Sequence, residues 1–168
     1  MANKLEIERK YLMKRLPELK FHKILHIFQY YLADGSRIRL TKDATPDSGH
    51  FKGDIIPFPF GVKNKFELTI KKKIKAGVYE EDERKISEKK YDELKKKAIS
   101  HIKKARHIFK VGKLKWEIDI YKNIDLVTAE IELPRENYKF KIPPAIQKEI
   151  IMDVTEFPQF TNKALSEK

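Results

Sequence analysis

Apolar and charged residues alternate along one segment of this chain after another. Ile38 and Leu40 alternate with Arg37 and Arg39. Phe66, Leu68 and Ile70 alternate with Glu67, Thr69 and Lys71, and Trp116, Ile118 and Ile120 with Lys115, Glu117 and Asp119. Ala129, Ile131 and Leu133 alternate with Glu130 and Glu132. Side chains two apart share a face of a strand, so each segment carries one apolar and one charged face. Such a chain folds as an antiparallel sheet whose charged face meets water or is turned inward. The signs of the charges favour the second case. Arg37 and Arg39 are paired bases, whereas Glu6/Glu8, Glu81/Glu83 and Glu130/Glu132 are three Glu-x-Glu pairs. Charges serving only solubility would mix signs within a strand. If the sheet closes into a barrel, these side chains meet in one lumen.

The period-two pattern predicts strands at the Glu6–Lys10 opening and at Asn64–Lys72, Tyr79–Ile86, His101–Lys110, Lys113–Tyr121 and Leu126–Leu133. Phe28–Leu32 and Ser36–Leu40, joined at Asp34-Gly35, read as a hairpin. Ser87 is suited to cap a helix with Tyr91, Leu94, Ala98 and Ile99 as its apolar stripe. Asp43–Gly61, rich in Gly and Pro, reads as a long excursion or lid. Ile142-Pro143-Pro144 ends the sheet, a short helix runs to about Ile150, and a last turn lies around Thr161–Leu165. The expected organisation is one domain over 1–168, since 168 residues bury about two-thirds of their unfolded surface.

Composition narrows the function. The chain has no cysteine, which excludes thiolate nucleophiles, disulfides and Cys-zinc sites and points to the cytoplasm. It has no apolar run of eighteen residues, so no membrane partner is expected. A net charge of +12 implies either an anionic partner or simply a Lys-rich surface. Acids are interspersed with the bases and no nucleic-acid module is recognisable, so a small polyanion fits better than a specific nucleic acid. A monomer or homodimer is expected. There is no Gly-rich phosphate loop, so side chains must hold phosphate. His22 and His26 lie four apart without a third ligand, and His50, His101 and His107 are isolated, so all five read as packing or surface residues. Phe51, Phe58 and Phe60 read as a small core of their own.

In Glu6-Ile7-Glu8-Arg9-Lys10, two carboxylates and an ammonium stand in one row. Hard oxygens suit Mg²⁺ or Mn²⁺, and a lysine can hold phosphoryl oxygens. Several carboxylates sharing one lumen raise each other's pKa, and cations and opposing bases relieve them. A metal-bound polyanion is therefore the expected ligand.

The ordered set EIERK, Arg37-Ile38-Arg39, Leu68-Thr69-Ile70-Lys71, Lys104-Ala105-Arg106, Trp116-Glu117-Ile118-Asp119, Ala129-Glu130-Ile131-Glu132 and Val154-Thr155…Asn162-Lys163-Ala164-Leu165 resembles the CYTH superfamily, the triphosphate tunnel metalloenzymes, over nearly the whole chain. The resemblance implies an α+β, mainly β fold: an eight-stranded antiparallel closed β-barrel, or tunnel, with a few flanking helices. It implies metal binding by Glu6, Glu8, Glu130 and Glu132, with Asp119, Glu81 and Glu83 in the same cluster or at a second ion. Lys10, Arg37, Arg39, Lys71, Lys104 and Arg106 resemble the phosphate ligands, and Tyr31 and Lys104 resemble residues that activate water in some members. The implied activity is Mg²⁺- or Mn²⁺-dependent removal of the terminal phosphoryl group from tripolyphosphate, a nucleoside triphosphate or thiamine triphosphate. Alternatives are a class IV adenylyl cyclase and a non-catalytic polyphosphate- or nucleotide-binding module. The chain departs from its relatives at Gln159-Phe160, where a basic residue and Tyr are frequent, and at Tyr79, where Arg is common; Asp43–Gly61 has no counterpart in the most compact members.

Overall fold

The computed structural model of the protein describes residues 4–46 and 63–168. Its strands are β1 (Lys4–Met13), β2 (Lys23–Tyr31), β3 (Arg37–Asp43), β4 (Asn64–Lys75), β5 (Val78–Lys85), β6 (Ser100–Val111), β7 (Leu114–Tyr121), β8 (Val127–Glu132) and β9 (Ile150–Asp153). Helices α1 (Glu88–Lys95), α2 (Pro144–Gln147) and α3 (Asn162–Ser166) and a 3-10 turn at Pro158–Phe160 accompany them. The antiparallel order β5-β4-β3-β2-β6-β7-β8-β1 closes through a β5–β1 pairing, which makes the expected eight-stranded barrel. The hairpin expected at Asp34-Gly35 forms, with Phe28 opposite Leu40 and Tyr31 opposite Arg37. Most of the expected excursion, with His50, Phe51, Phe58 and Phe60, lies outside the described residues.

The apolar core is on the outside of this barrel. Ile7, Tyr11, Met13, Trp116, Ile118, Ala129 and Ile131 face outward and pack in one cluster with Leu16, Leu19, Phe21, Tyr138, Phe140, Ile142 and Ile146. This leaves the inward phase of every strand to polar side chains, as the alternation requires. Tyr91 of α1 closes the β2–β4 side, its ring 5.1 Å from Phe66 and 6.2 Å from Tyr30. A smaller cluster, Ile102, Tyr121 and Leu165, seats α3 on the barrel.

Two expectations are corrected. Ser87 does cap α1, its hydroxyl accepting from Lys90 N at 3.2 Å, but the helix ends at Lys95. Ala98 and Ile99 lie beyond it, and Ile99 is 63% exposed. The sheet captures the chain there, since Ile99 N donates to Tyr31 O at 2.9 Å. The second helix does not reach Ile150 but stops at Gln147, and Ile150–Asp153 forms β9 against Tyr11–Met13 of β1. The reason lies in β1. Its odd-numbered residues face β8, where Leu133 N donates to Ile7 O; on the other edge β5 pairs only with Lys4–Ile7. The remaining backbone groups of that edge need partners, and the segment after α2 supplies them.

The β4–β5 turn approaches β1 so closely that only glycine fits. Gly77 has φ +69°, and a Cβ there would lie 2.6 Å from Glu8 O and 2.7 Å from Thr155 Cγ2. Gly77→Ala combines left-handed strain with a clash against backbone, for an expected loss of about 2–4 kcal/mol. A denaturant melt measures it, and a loss within experimental error would mean that the turn yields freely.

Candidate active site

The inward faces enclose a cavity of about 430 Å³. Ten basic and seven acidic side chains line it; the acids lie on four strands, six of the bases on three others, and Lys4, Lys10, Lys115 and Lys163 on β1, β7 and α3. Carboxylates come from β5 (Glu81, Glu83), β1 (Glu6, Glu8), β8 (Glu130, Glu132) and β7 (Glu117). These strands are consecutive in the barrel, so the acids form one continuous wall. Bases come from β6 (Lys104, Arg106), β3 (Arg37, Arg39) and β4 (Lys71, Lys73), while β2 between them contributes the neutral pair Gln29 and Tyr31. Lys10 ends the acidic row of β1, as its spacing predicts.

Ion pairs cross between the walls. Lys10 Nζ is 2.8 Å from Glu130 Oε1, and Lys71 Nζ is 2.5 Å from Glu6 and 3.6 Å from Glu8. Arg39 bridges Glu67 at 2.9 Å and Glu83 at 2.8 Å, and Arg37 donates to Thr69 Oγ1 at 3.2 Å with Glu81 and Glu83 each 4.0 Å away. Arg106 pairs with Glu117 and Glu130 and grips Asp119 with two bonds of 2.8 Å. Lys104 donates to Asp119 at 2.7 Å and to Asn162 Oδ1 at 3.1 Å.

These surroundings separate the titrations. Burial first, then Glu130 and Glu6, push the Glu8 carboxyl up to about 7. Burial also resists ionisation of Glu130, but Lys10, Lys104 and Arg106 outweigh it and hold this carboxyl well below the usual range. Lys104 is driven down to about 8 by burial and by Arg106, with Asp119 acting against them. Burial pushes the Tyr31 phenol up, so it stays protonated at neutral pH. Its oxygen accepts from Gln29 Nε2 at 2.5 Å.

The sequence-derived residues divide by position. Lys10, Arg37, Arg39, Lys71, Lys104 and Arg106 all reach the cavity, and so do Glu6, Glu8, Glu81, Glu83, Glu130 and Glu132. Glu6, Glu8 and Glu130 form one electrostatically linked group, whereas Glu83 is bound into the arginine pair. Asp119 is fully buried behind the wall, its oxygens occupied by Lys104 and Arg106. Tyr31 and Lys104 are not neighbours. On the paired strands Tyr31 stands opposite Ser100 and Lys104 opposite Ile27, four residues away, or about 13 Å along the strand. Among the described residues no histidine lines the cavity. His22 Nδ1 accepts from Lys110 N at 3.3 Å, and the His107 ring packs edge-on to Phe21 at 5.0 Å.

Residues missed by the sequence reading complete the walls. Glu67 and Glu117 stand in the inward phase of β4 and β7, and that phase was the available signal. Asn162 binds both Lys104 and the Tyr121 hydroxyl, at 2.8 Å from the latter, and only the docking of α3 brings it there.

Among the described residues no three carboxylates or imidazoles already converge on one point as a metal nest. The donor chemistry nonetheless fits a hard divalent cation. Glu8 is pushed toward protonation by burial and by the neighbouring Glu130 and Glu6, and among the described residues the Glu6 carboxylate beside it is held by the single cation Lys71.

No family model and no curated protein matches the chain. Solved structures do. One of the hypothetical protein NE1496 superimposes with TM-score 0.58 at 23% identity, covering 97% of this chain and 98% of that one. Another, of the inorganic triphosphatase NE1496, gives 0.57 at 21% identity, covering 97% and 95%. PH1819 from Pyrococcus horikoshii OT3 gives 0.52 at 19% identity over 79% of this chain and 80% of that one. At these identities the likeness is one of fold, and for the two NE1496 structures it extends over nearly the whole of both chains.

Proposed function

We propose that the protein is a divalent-metal-dependent triphosphatase that transfers the terminal phosphoryl group of a triphosphate to water. The observation that carries this reading is one cavity in which seven carboxylates on four adjacent strands face bases on β3, β4 and β6. A simple anion site has no use for seven acids. The resemblance in fold to an inorganic triphosphatase supports the same reading.

Lys10, Arg37, Arg39, Lys71, Lys104 and Arg106 would hold the phosphoryl oxygens, the guanidinium forks taking two oxygens at once. Because the bases are fixed by partners on neighbouring strands, little reorganisation is needed as charge moves to the leaving oxygen. A polyanion that engages the bases competes with the carboxylates for them and leaves Glu6, Glu8, Glu130 and Glu132 to Mg²⁺ or Mn²⁺. When bound there, the cation would neutralise and polarise phosphoryl oxygens. Lys104, whose proton leaves near pH 8, is suited to orient and deprotonate the attacking water. Tyr31 keeps its proton and would act as a donor to a phosphoryl oxygen, not as a base.

Phosphate release from tripolyphosphate, ATP, GTP and thiamine triphosphate, with Mg²⁺ or Mn²⁺ from pH 6 to 10, tests this. Tripolyphosphate should yield pyrophosphate and orthophosphate, at a rate that climbs through about pH 8 as Lys104 loses its proton. Cyclic AMP from ATP with no cleavage of tripolyphosphate would instead make the protein a cyclase. Tight binding with neither product would make it a binding module.

A further inference from the structure

Glu67 is the one carboxylate of β4, and its side chain is only 3% exposed. A buried carboxylate is costly unless it is paired, so its place needs a reason. It stands in the inward phase of β4 without lining the cavity, and a ligand there would not meet it directly.

Its partners supply the reason. Glu67 Oε2 accepts from Arg39 Nε at 3.3 Å and from Arg39 Nη2 at 2.9 Å, while Oε1 pairs with Lys65 Nζ. Burial works against the charge of Glu67, but Lys65 and Arg39 outweigh it and hold the carboxyl at about 2, so it is ionised near neutral pH. Arg39 Nη2 also donates to Glu83 Oε2 at 2.8 Å. Carboxylates of two strands thus hold this guanidinium by its Nε and Nη2, which leaves Nη1 for a ligand in the cavity that Arg39 lines.

Arg37, two residues away on the same face of β3, is held loosely. It donates to Thr69 Oγ1 at 3.2 Å, Glu81 and Glu83 are each 4.0 Å away, and among the described residues its buried Nε has no acceptor. The neighbouring strand makes the difference, since β4 sets Thr69 opposite Arg37 and Glu67 opposite Arg39.

We infer that Glu67 is a positioning residue, which acts through Arg39 by fixing its guanidinium as a rigid donor to the phosphate chain. This rests on the triphosphate reading above. A donor already in place needs no reorganisation as charge develops in the transition state, and that raises kcat. The same carboxylate offsets the charge of Arg39, so it does not strengthen binding of the substrate itself.

A double-mutant cycle tests the inference, with kcat and KM measured on tripolyphosphate and Mg²⁺ for the unsubstituted protein, Glu67→Gln, Arg39→Ala and the double variant. Glu67→Gln should lower kcat about tenfold or more with KM no higher. In the Arg39→Ala background the same change should alter kcat by less than about twofold. Glu67→Asp keeps the charge on a shorter arm and should show the same dependence on Arg39, which keeps the test open where Glu67→Gln does not fold. Equal losses in both backgrounds would mark a structural role and overturn the inference while leaving the triphosphate reading standing. So would a raised KM with unchanged kcat. If the unsubstituted protein does not cleave tripolyphosphate, both readings fall together.

Discussion

Replacing Glu8 with Gln should lower turnover on the order of 10²–10³-fold while making the metal-free protein more stable. The two effects share one cause. Glu8 ionises near its ordinary value in the unfolded chain but only at about 7 in the folded one, because burial, Glu130 and Glu6 all disfavour its charge. Below pH 4 both states are protonated and Glu8 contributes nothing. As the pH rises the unfolded state loses its proton first, so stability declines, and the full penalty, on the order of 3 kcal/mol, is present above about pH 7. Glu8→Gln removes that penalty together with the charge needed by a cation. At pH 8 without metal its melting temperature should exceed that of the unsubstituted protein, and at pH 4 the two should coincide. Added Mg²⁺ should stabilise the unsubstituted protein more than the variant. A variant that melts lower at pH 8 without metal, or that retains full turnover at limiting Mg²⁺, removes Glu8 from the proposed site.

Asp119→Ala should do the opposite and destabilise the fold by about 3–5 kcal/mol, or about 10 °C in melting temperature. Burial pushes the Asp119 carboxyl up, but Arg106 and Lys104 more than reverse this and hold it below the usual range. Without the carboxylate, two buried cations face each other with Glu130 as the counter-charge left between them. The pH dependence distinguishes this from simple loss of packing. Lys104 already ionises below its ordinary value, and without Asp119 it should do so at still lower pH. A base with a depressed folded-state pKa destabilises the protein while charged, and the defect is relieved as the pH climbs through that pKa. Asp119→Ala should therefore be most damaging in acid and partly recover above pH 8, with Asp119→Asn intermediate because one acceptor remains. If Asp119 belonged with the metal-binding acids, its removal would stabilise the metal-free protein as Glu8→Gln does. Melts of the two variants side by side decide between a positioning residue and a ligand.

Most of the inner surface was legible in the sequence because strand periodicity is local. Arg37 and Arg39, Lys104 and Arg106, and each Glu-x-Glu pair must point the same way whatever the strand meets, and all of them reach the cavity. The same phase would have identified Glu67 and Glu117 had each inward residue been counted. Where the reading failed, a non-local demand prevailed. The apolar pattern after Ser87 suggested a longer helix, but the sheet took Ile99 through Tyr31 O. Helix was expected as far as Ile150, but β1 had an uncovered edge that recruited Ile150–Asp153.

The alternation alone determined that this chain has a charged inner face, with the paired bases of β3 and the Glu-x-Glu pairs on different strands. Only the tertiary structure decided which charge meets which. The order β5-β1-β8-β7 gathers acids from distant parts of the sequence into one wall, and that proximity pushes Glu8 upward. The pairing of β6 with β7 gives Asp119 to Arg106 and Lys104, and docking of the C-terminal segment adds Asn162, Phe157 and Phe160. The physical reason is range. The side on which a residue stands follows from its two neighbours along the chain, whereas its pKa and its partners depend on groups within a few ångströms in space.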